Sequence, residues 1–251
     1  MKVGLFIPCY VDAFFPEVGI ATLELLERLG CEVHYPLNQT CCGQPMANSG
    51  CHGDAADTEA LFVRNFDSFD HIVAPSGSCT HHVREHLRAH PDTPHVAQVR
   101  SRTVELVNFL HDVLGVREFP WAEFPHKLAL HLGCSTLRGL NTASTSEVAA
   151  APFNKAAALL AGVKGVQLTK LRRPDECCGF GGTFSVFEEP VSVRMGQDKV
   201  QDQLDSGAQA VVTTDMSCAM HQQGVARRMD VKLPYLHIAQ VLNGTKLEAQ
   251  P

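Results

Sequence analysis

Two turns decide the reading of this chain: Cys177-Cys178-Gly179-Phe180-Gly181-Gly182-Thr183 and an earlier copy, Cys41-Cys42-Gly43-Gln44-Pro45. Adjacent thiols followed by glycine build a core poorly. They wrap backbone well around a bulky group that takes sulfur ligands, because glycine lets the main chain come close and adopt φ > 0. The existence of two copies makes each turn one half of a duplication.

Outward from the turns, the same order of elements appears twice. In the first half, apolar runs predict strands at 2–8, 32–36 and 71–75, with helices at 15–29, 55–69, 81–89 and 102–114. In the second, strands are expected at 127–132, 165–171 and 210–214, and helices at 154–161, 191–204, 220–229 and 238–242. Alternating strands and helices predict an α/β fold: two tandem, similar α/β units with mainly parallel sheets, related by pseudo-two-fold symmetry. The expected units are residues 1–122 and 123–251, each with its own Cys-Cys-Gly turn, joined near 118–125 where Pro120 and Pro125 break the pattern.

The cysteines fall at matching places. Cys9, Cys41, Cys42 and Cys79 stand in the first half, and Cys134, Cys177, Cys178 and Cys218 in the second. In each half one cysteine ends the first strand, a pair follows the second, and one follows the third. The carboxyl ends of parallel strands open on one edge of a sheet, where ligands bind, so four thiols converge per half. Four thiolates suit an iron–sulfur cluster or a tetrahedral zinc, and the repeat outweighs a reading of these residues as small buried hydrophobes. Cys79 and Cys218 are expected just before helices, whose N-termini lower a thiol pKa.

Cys31 and Cys51 have apolar counterparts, Val163 and Phe187, and read as packing residues. His82 and His221 each follow the last cysteine of their half by three residues, which suits proton handling as well as the plainer role of satisfied surface histidines. His131 reads as a hydrogen-bonded core histidine. The glycines at 179, 181 and 182 match neither a dinucleotide nor a P-loop spacing, and no flavin or nicotinamide motif is evident.

A net charge of −6 with no basic run argues against a nucleic-acid partner. No stretch reaches the roughly 18 apolar residues that span a bilayer, and the N-terminus lacks a signal pattern. A cytoplasmic location is expected, where ten cysteines point to metal or redox chemistry rather than disulfides.

At residues 41–50, 177–185 and 215–221 the chain resembles the cysteine-rich CCG domain family, found in heterodisulfide reductase B subunits and in iron–sulfur subunits of glycolate and glycerol-3-phosphate dehydrogenases. The likeness covers nearly the whole chain. It implies an iron–sulfur subunit of a cytoplasmic complex that oxidises L-lactate to pyruvate, acting in electron transfer beside other iron–sulfur subunits and inactive alone. A small 2-hydroxy acid is the implied substrate. The eight cysteines named above would hold one 4Fe-4S cluster per half, with zinc possible in one half. Where heterodisulfide reductase has the first cysteine of its Cys-x-x-Cys, this chain has Ser76 and Asp215, leaving four thiols per half instead of five. Asp215 and His221 flank Cys218 and are the candidate catalytic groups for the proton of the substrate hydroxyl. The rival readings are a scaffold or interaction protein with structural zinc in a four-cysteine site, and a thiol/disulfide oxidoreductase subunit resembling heterodisulfide reductase B.

Overall fold

Strands covered on both faces need continuous apolar runs, and Val3, Leu5, Ile72, Val73, Leu128, Val211 and Val212 supply them, all essentially inaccessible to solvent. The computed structural model describes residues 1–87, 93–149 and 151–247. The first sheet comprises β1 (Lys2–Leu5), β2 (Glu32–His34), β3 (His71–Ala74) and β4 (Thr103–Glu105). The second comprises β5 (Lys127–His131), β6 (Gln167–Leu168), β7 (Ala210–Thr213) and β8 (Tyr235–His237). Every pairing is parallel, and the strand order is the same in both: β2-β1-β3-β4 and β6-β5-β7-β8. The expected α/β architecture is thus present twice.

β4 and β8 were not anticipated. Of the long helix expected at 102–114, Leu106–Asn108 and Phe109–Val113 are helical, while Thr103–Glu105 form β4 and Arg102 ends a separate helix, Pro94–Arg102. Two other helices begin earlier than expected, at Gly77 and Met216, so Cys79 and Cys218 lie inside their first turns rather than before them. Ser76 and Asp215 are the N-caps, the hydroxyl accepting from Cys79 N and the carboxylate from Ser217 N. Positions 88–89 of the expected helix and the last four residues of the second expected unit, 248–251, lie outside the described residues.

The larger hydrophobic core runs through both sheets, from Val3, Leu5 and Leu25 to Leu128, Val211 and Val241. A smaller one, built on Phe6, Phe62, Phe66 and Ile72, backs the first sheet and includes Cys42 and Cys79. The halves exchange helix contacts reciprocally. Helix Pro16–Arg28 of the first half packs on Ile238–Asn243 of the second, and Lys155–Leu160 of the second packs on Leu106–Asn108 of the first. That reciprocity is what a two-fold relation requires. Ser76 and Asp215, equivalent positions in the two halves, meet in an antiparallel bridge where the axis passes.

Candidate metal centre

Strand order reverses between β1 and β3 and again between β5 and β7, and ligands bind in the crevice beyond such switch points. Cys9 and Cys79 follow β1 and β3; Cys134 and Cys218 follow β5 and β7. The Cys-Cys-Gly turns come in from the flanking strands β2 and β6. All eight thiols line one cavity of about 400 Å³, with Tyr10, Asn48, Phe180 and Thr183 among its other walls. The two sets therefore face a common cleft.

Each turn depends on its glycine. Gly43 and Gly179 have φ of +92° and +91°, left-handed values that a side chain disfavours. A Cβ on Gly179 would also lie 2.6 Å from the Ser192 carbonyl, and the Ser192 hydroxyl donates to the Gly179 carbonyl at 2.8 Å, tying this turn to the helix Glu189–Asp205.

Within each half the thiols crowd one another. Cys9 Sγ lies 3.7 Å from Cys41 Sγ. Donation from Cys42 and Cys9 holds the Cys41 thiol down at about 2. Hydrogen bonding to Cys41 raises Cys9, and bonds to Cys41 and Cys79 raise Cys42. In the second half a bond to Cys177 raises Cys134. At Cys178 the bond to Cys177 lowers the pKa, but the bond to Cys218 and burial outweigh it. At Cys218 the bond to Cys178 lowers it and burial prevails, so the helix N-terminus does not produce the lowered thiol that the sequence suggested. At Cys177 the bond to Cys134 lowers the pKa, but the bond to Cys178 and burial outweigh it. The protein alone therefore favours a thiolate at Cys41 of the first set and none in the second. A cation at the centre of each set would reverse this, since bound metal deprotonates its thiol ligands outright. The donor set therefore fits a metal or cluster.

Asp215 is nearly buried, and its carboxylate accepts from five donors. Oδ2 takes Ser76 Oγ at 3.0 Å, Ser78 N at 2.8 Å and Ser78 Oγ at 2.7 Å, all from the other half. Oδ1 takes Ser217 N at 3.0 Å and Ser217 Oγ at 2.6 Å. His221 turns away from the cleft wall, with Nε2 3.3 Å from the Ser192 carbonyl and its ring 6.1 Å from that of Phe180. His82 is no surface histidine. It is buried 3.6 Å from the Glu59 carboxylate, and burial pulls its pKa down to about 4. Cys31 packs in the larger core, whereas Cys51 is exposed rather than packed; neither reaches the cleft.

His131 departs most from expectation. It is wholly buried, yet neither ring nitrogen has a hydrogen-bond partner among the described residues. Burial lowers its pKa to about 3, so the ring is neutral at ordinary pH. An unmet buried donor or acceptor costs about 1–3 kcal/mol. One ring nitrogen and the sulfurs of Cys178 and Cys218 all lie within 4.8 Å of one another. The sequence held one signal for it, a position three residues before the first cysteine of its set.

A family description, CCG cysteine-rich domain, matches residues 3–84 and again 128–222. Lactate utilization protein A of Bacillus subtilis is 41% identical over 247 residues, covering 97% of this chain and 99% of that protein. The protein of the same name from Exiguobacterium sp. is 40% identical over 248 residues, covering 96% and 97%. Among solved structures, a hypothetical protein from Helicobacter pylori superposes with a TM-score of 0.59 at 10% identity, over 96% of this chain and 48% of that one, a likeness of fold alone. Both matched segments open on the first strand of a sheet and take in all four cysteines of their half, and on that ground the chain belongs to the CCG cysteine-rich domain family.

Proposed function

We propose that this chain is an iron–sulfur subunit of a cytoplasmic complex that oxidises L-lactate to pyruvate, and that it serves in electron transfer. The observation that carries the reading is two matched sets of four thiols lining a single cleft. In the proposal Cys9, Cys41, Cys42 and Cys79 hold one cluster within residues 1–122, and Cys134, Cys177, Cys178 and Cys218 hold another within 123–251. A four-thiolate cluster, when bound, takes up and releases electrons singly. The names of the relatives support the link to lactate.

The hydride chemistry of a 2-hydroxy acid ordinarily belongs to a flavin or nicotinamide, for which this sequence carries no motif, so partner subunits supply it. Phe14, Val186 and Phe187 are exposed on segments that frame the cleft, and they offer an apolar rim on which such a partner docks. Asp215 is engaged by five donors. In this proposal it clamps the cleft, His221 steadies the second turn from behind, and proton transfer passes to a partner with the hydride.

Zinc in the first set is a second reading with its own observation. Zinc–sulfur bonds of about 2.3 Å in a tetrahedron place sulfurs about 3.8 Å apart, close to the 3.7 Å between Cys9 and Cys41. The deciding experiment is anaerobic purification with iron, sulfide and zinc analysis, followed by lactate-dependent dye reduction with and without the iron–sulfur partners. We expect iron and sulfide in the chain and activity only in the assembly. Full activity from the isolated chain would refute the relay role; an inactive assembly with intact clusters would refute the lactate assignment.

A further inference from the structure

The two sets of thiols are alike, but the walls behind them differ. Three residues before Cys9 stands Phe6; three before Cys134 stands His131. Both lie where the first strand of their sheet meets the third. Phe6 N donates to Val73 O at 2.9 Å, and His131 is in register with Thr213. Phe6 is buried edge-on to Phe62, with ring centroids 5.0 Å apart, and belongs to the apolar cluster that includes Cys42 and Cys79. His131 takes the corresponding place behind Cys178 and Cys218, with one ring nitrogen within 4.8 Å of both sulfurs, and neither ring nitrogen has a hydrogen-bond partner among the described residues.

From this juxtaposition, and resting on the iron–sulfur reading above, we infer that His131 donates an N–H hydrogen bond to a sulfur of the second set and so raises the reduction potential of the cluster held there. It is a positioning residue and not a ligand, because the first set has the same four thiols with phenylalanine in its place. The donor stabilises the more negative, reduced cluster more than the oxidised one, and hydrogen bonds to sulfur are among the factors that set such potentials. The first set has no such donor in the Phe6 position. An electron entering the shared cleft from a partner subunit is therefore drawn to the second set.

The test is a potentiometric titration of the anaerobically purified full chain with dithionite as the electron donor, followed by electron paramagnetic resonance. Wild type, His131→Phe and His131→Gln are compared, with iron measured in each. The expected result is equal iron throughout. One midpoint should shift downward in His131→Phe and recover in part in His131→Gln, which keeps an N–H donor. If His131→Phe does not fold, His131→Met removes the donor with a more adaptable side chain. An unmoved midpoint in an iron-replete apolar variant overturns the inference and leaves the proposed function standing. Loss of iron from the apolar variant, with iron retained in wild type, also overturns it by making the imidazole a ligand. A wild-type chain without iron sinks the inference and the proposed function together.

Discussion

Apart from Cys41, the shifted thiols of both sets resist ionisation, and whatever a set holds has to overcome that resistance. Replacing Cys178, buried at the back of the second set, by Ser is expected to remove most of that set's iron and to destabilise the second sheet, since site occupancy and folding are coupled. Cys51→Ser and Cys31→Ala should leave iron unchanged, because neither residue reaches the cleft. Iron analysis of the three variants checks this. The two turn glycines make a finer comparison. Their φ values are nearly equal, so alanine at either costs about 1–2 kcal/mol for its left-handed backbone. At Gly43 the three atoms nearest the new Cβ all belong to side chains, none nearer than 3.4 Å, whereas at Gly179 it meets the Ser192 carbonyl at 2.6 Å. Urea unfolding should show Gly179→Ala losing clearly more stability than Gly43→Ala; equal losses would contradict this account. The eight cysteines were legible because their order against the strands repeats. The partnerless state of His131 was not, because what a strand residue meets depends on neighbours such as Cys178 and Cys218, remote in sequence.

A short strand that abuts a helix leaves little trace in a sequence. Thr103, Val104 and Glu105 become a strand only by pairing with β3, and Tyr235, Leu236 and His237 only by pairing with β7. Each strand runs straight into a helix, and the apolar spacing of that helix masks it. The strands end alike. Glu105 Oε2 accepts from Val107 N at 2.8 Å, and His237 Nδ1 accepts from Ala239 N at 3.1 Å, each capping the helix that follows. Burial raises Glu105 to about 8 from an ordinary value of 4.5. Between those two values the folded state holds a proton that the unfolded state has released, so stability falls as pH rises and levels off above the upper one. The slope reaches on the order of 1 kcal/mol per pH unit inside the window. Glu105→Gln, neutral throughout, is expected to remove most of that slope. Denaturant unfolding at the two ends of the window measures it, and an unchanged slope would show that Glu105 is not its source.

At the scale of the molecule, the sequence disclosed the duplication but not how closely the halves are joined. One hydrophobic core passes through both, and Asp215 takes three of its five hydrogen bonds from the other half. Cooperative unfolding is the consequence. Trp121, the only tryptophan, donates to the Leu242 carbonyl at 3.0 Å and lies under the Arg28 guanidinium, 5.6 Å from its ring, so it reports on both halves. Its fluorescence should change at the same denaturant concentration as the far-ultraviolet circular dichroism; two separated transitions would show independent halves. The apolar rim makes a different demand. Phe187, 76% exposed, contributes little to the core, so Phe187→Asp should leave stability and iron nearly unchanged while weakening assembly with the partner subunits by about tenfold or more. Pull-down or titration with the purified partners tests it.

The bridge between Ser76 and Asp215 also decides what each half could do alone. On the axis of a homodimer every residue faces its own copy, so aspartate there would face aspartate across the seam and the two charges would repel. Serine facing serine would supply hydroxyls without the carboxylate that now gathers them. Two identical copies cannot make one side the acid and the other its donors, whereas the two halves of this chain do. The seam of this molecule is therefore asymmetric by necessity: neither half, separated and paired with itself, could rebuild that contact.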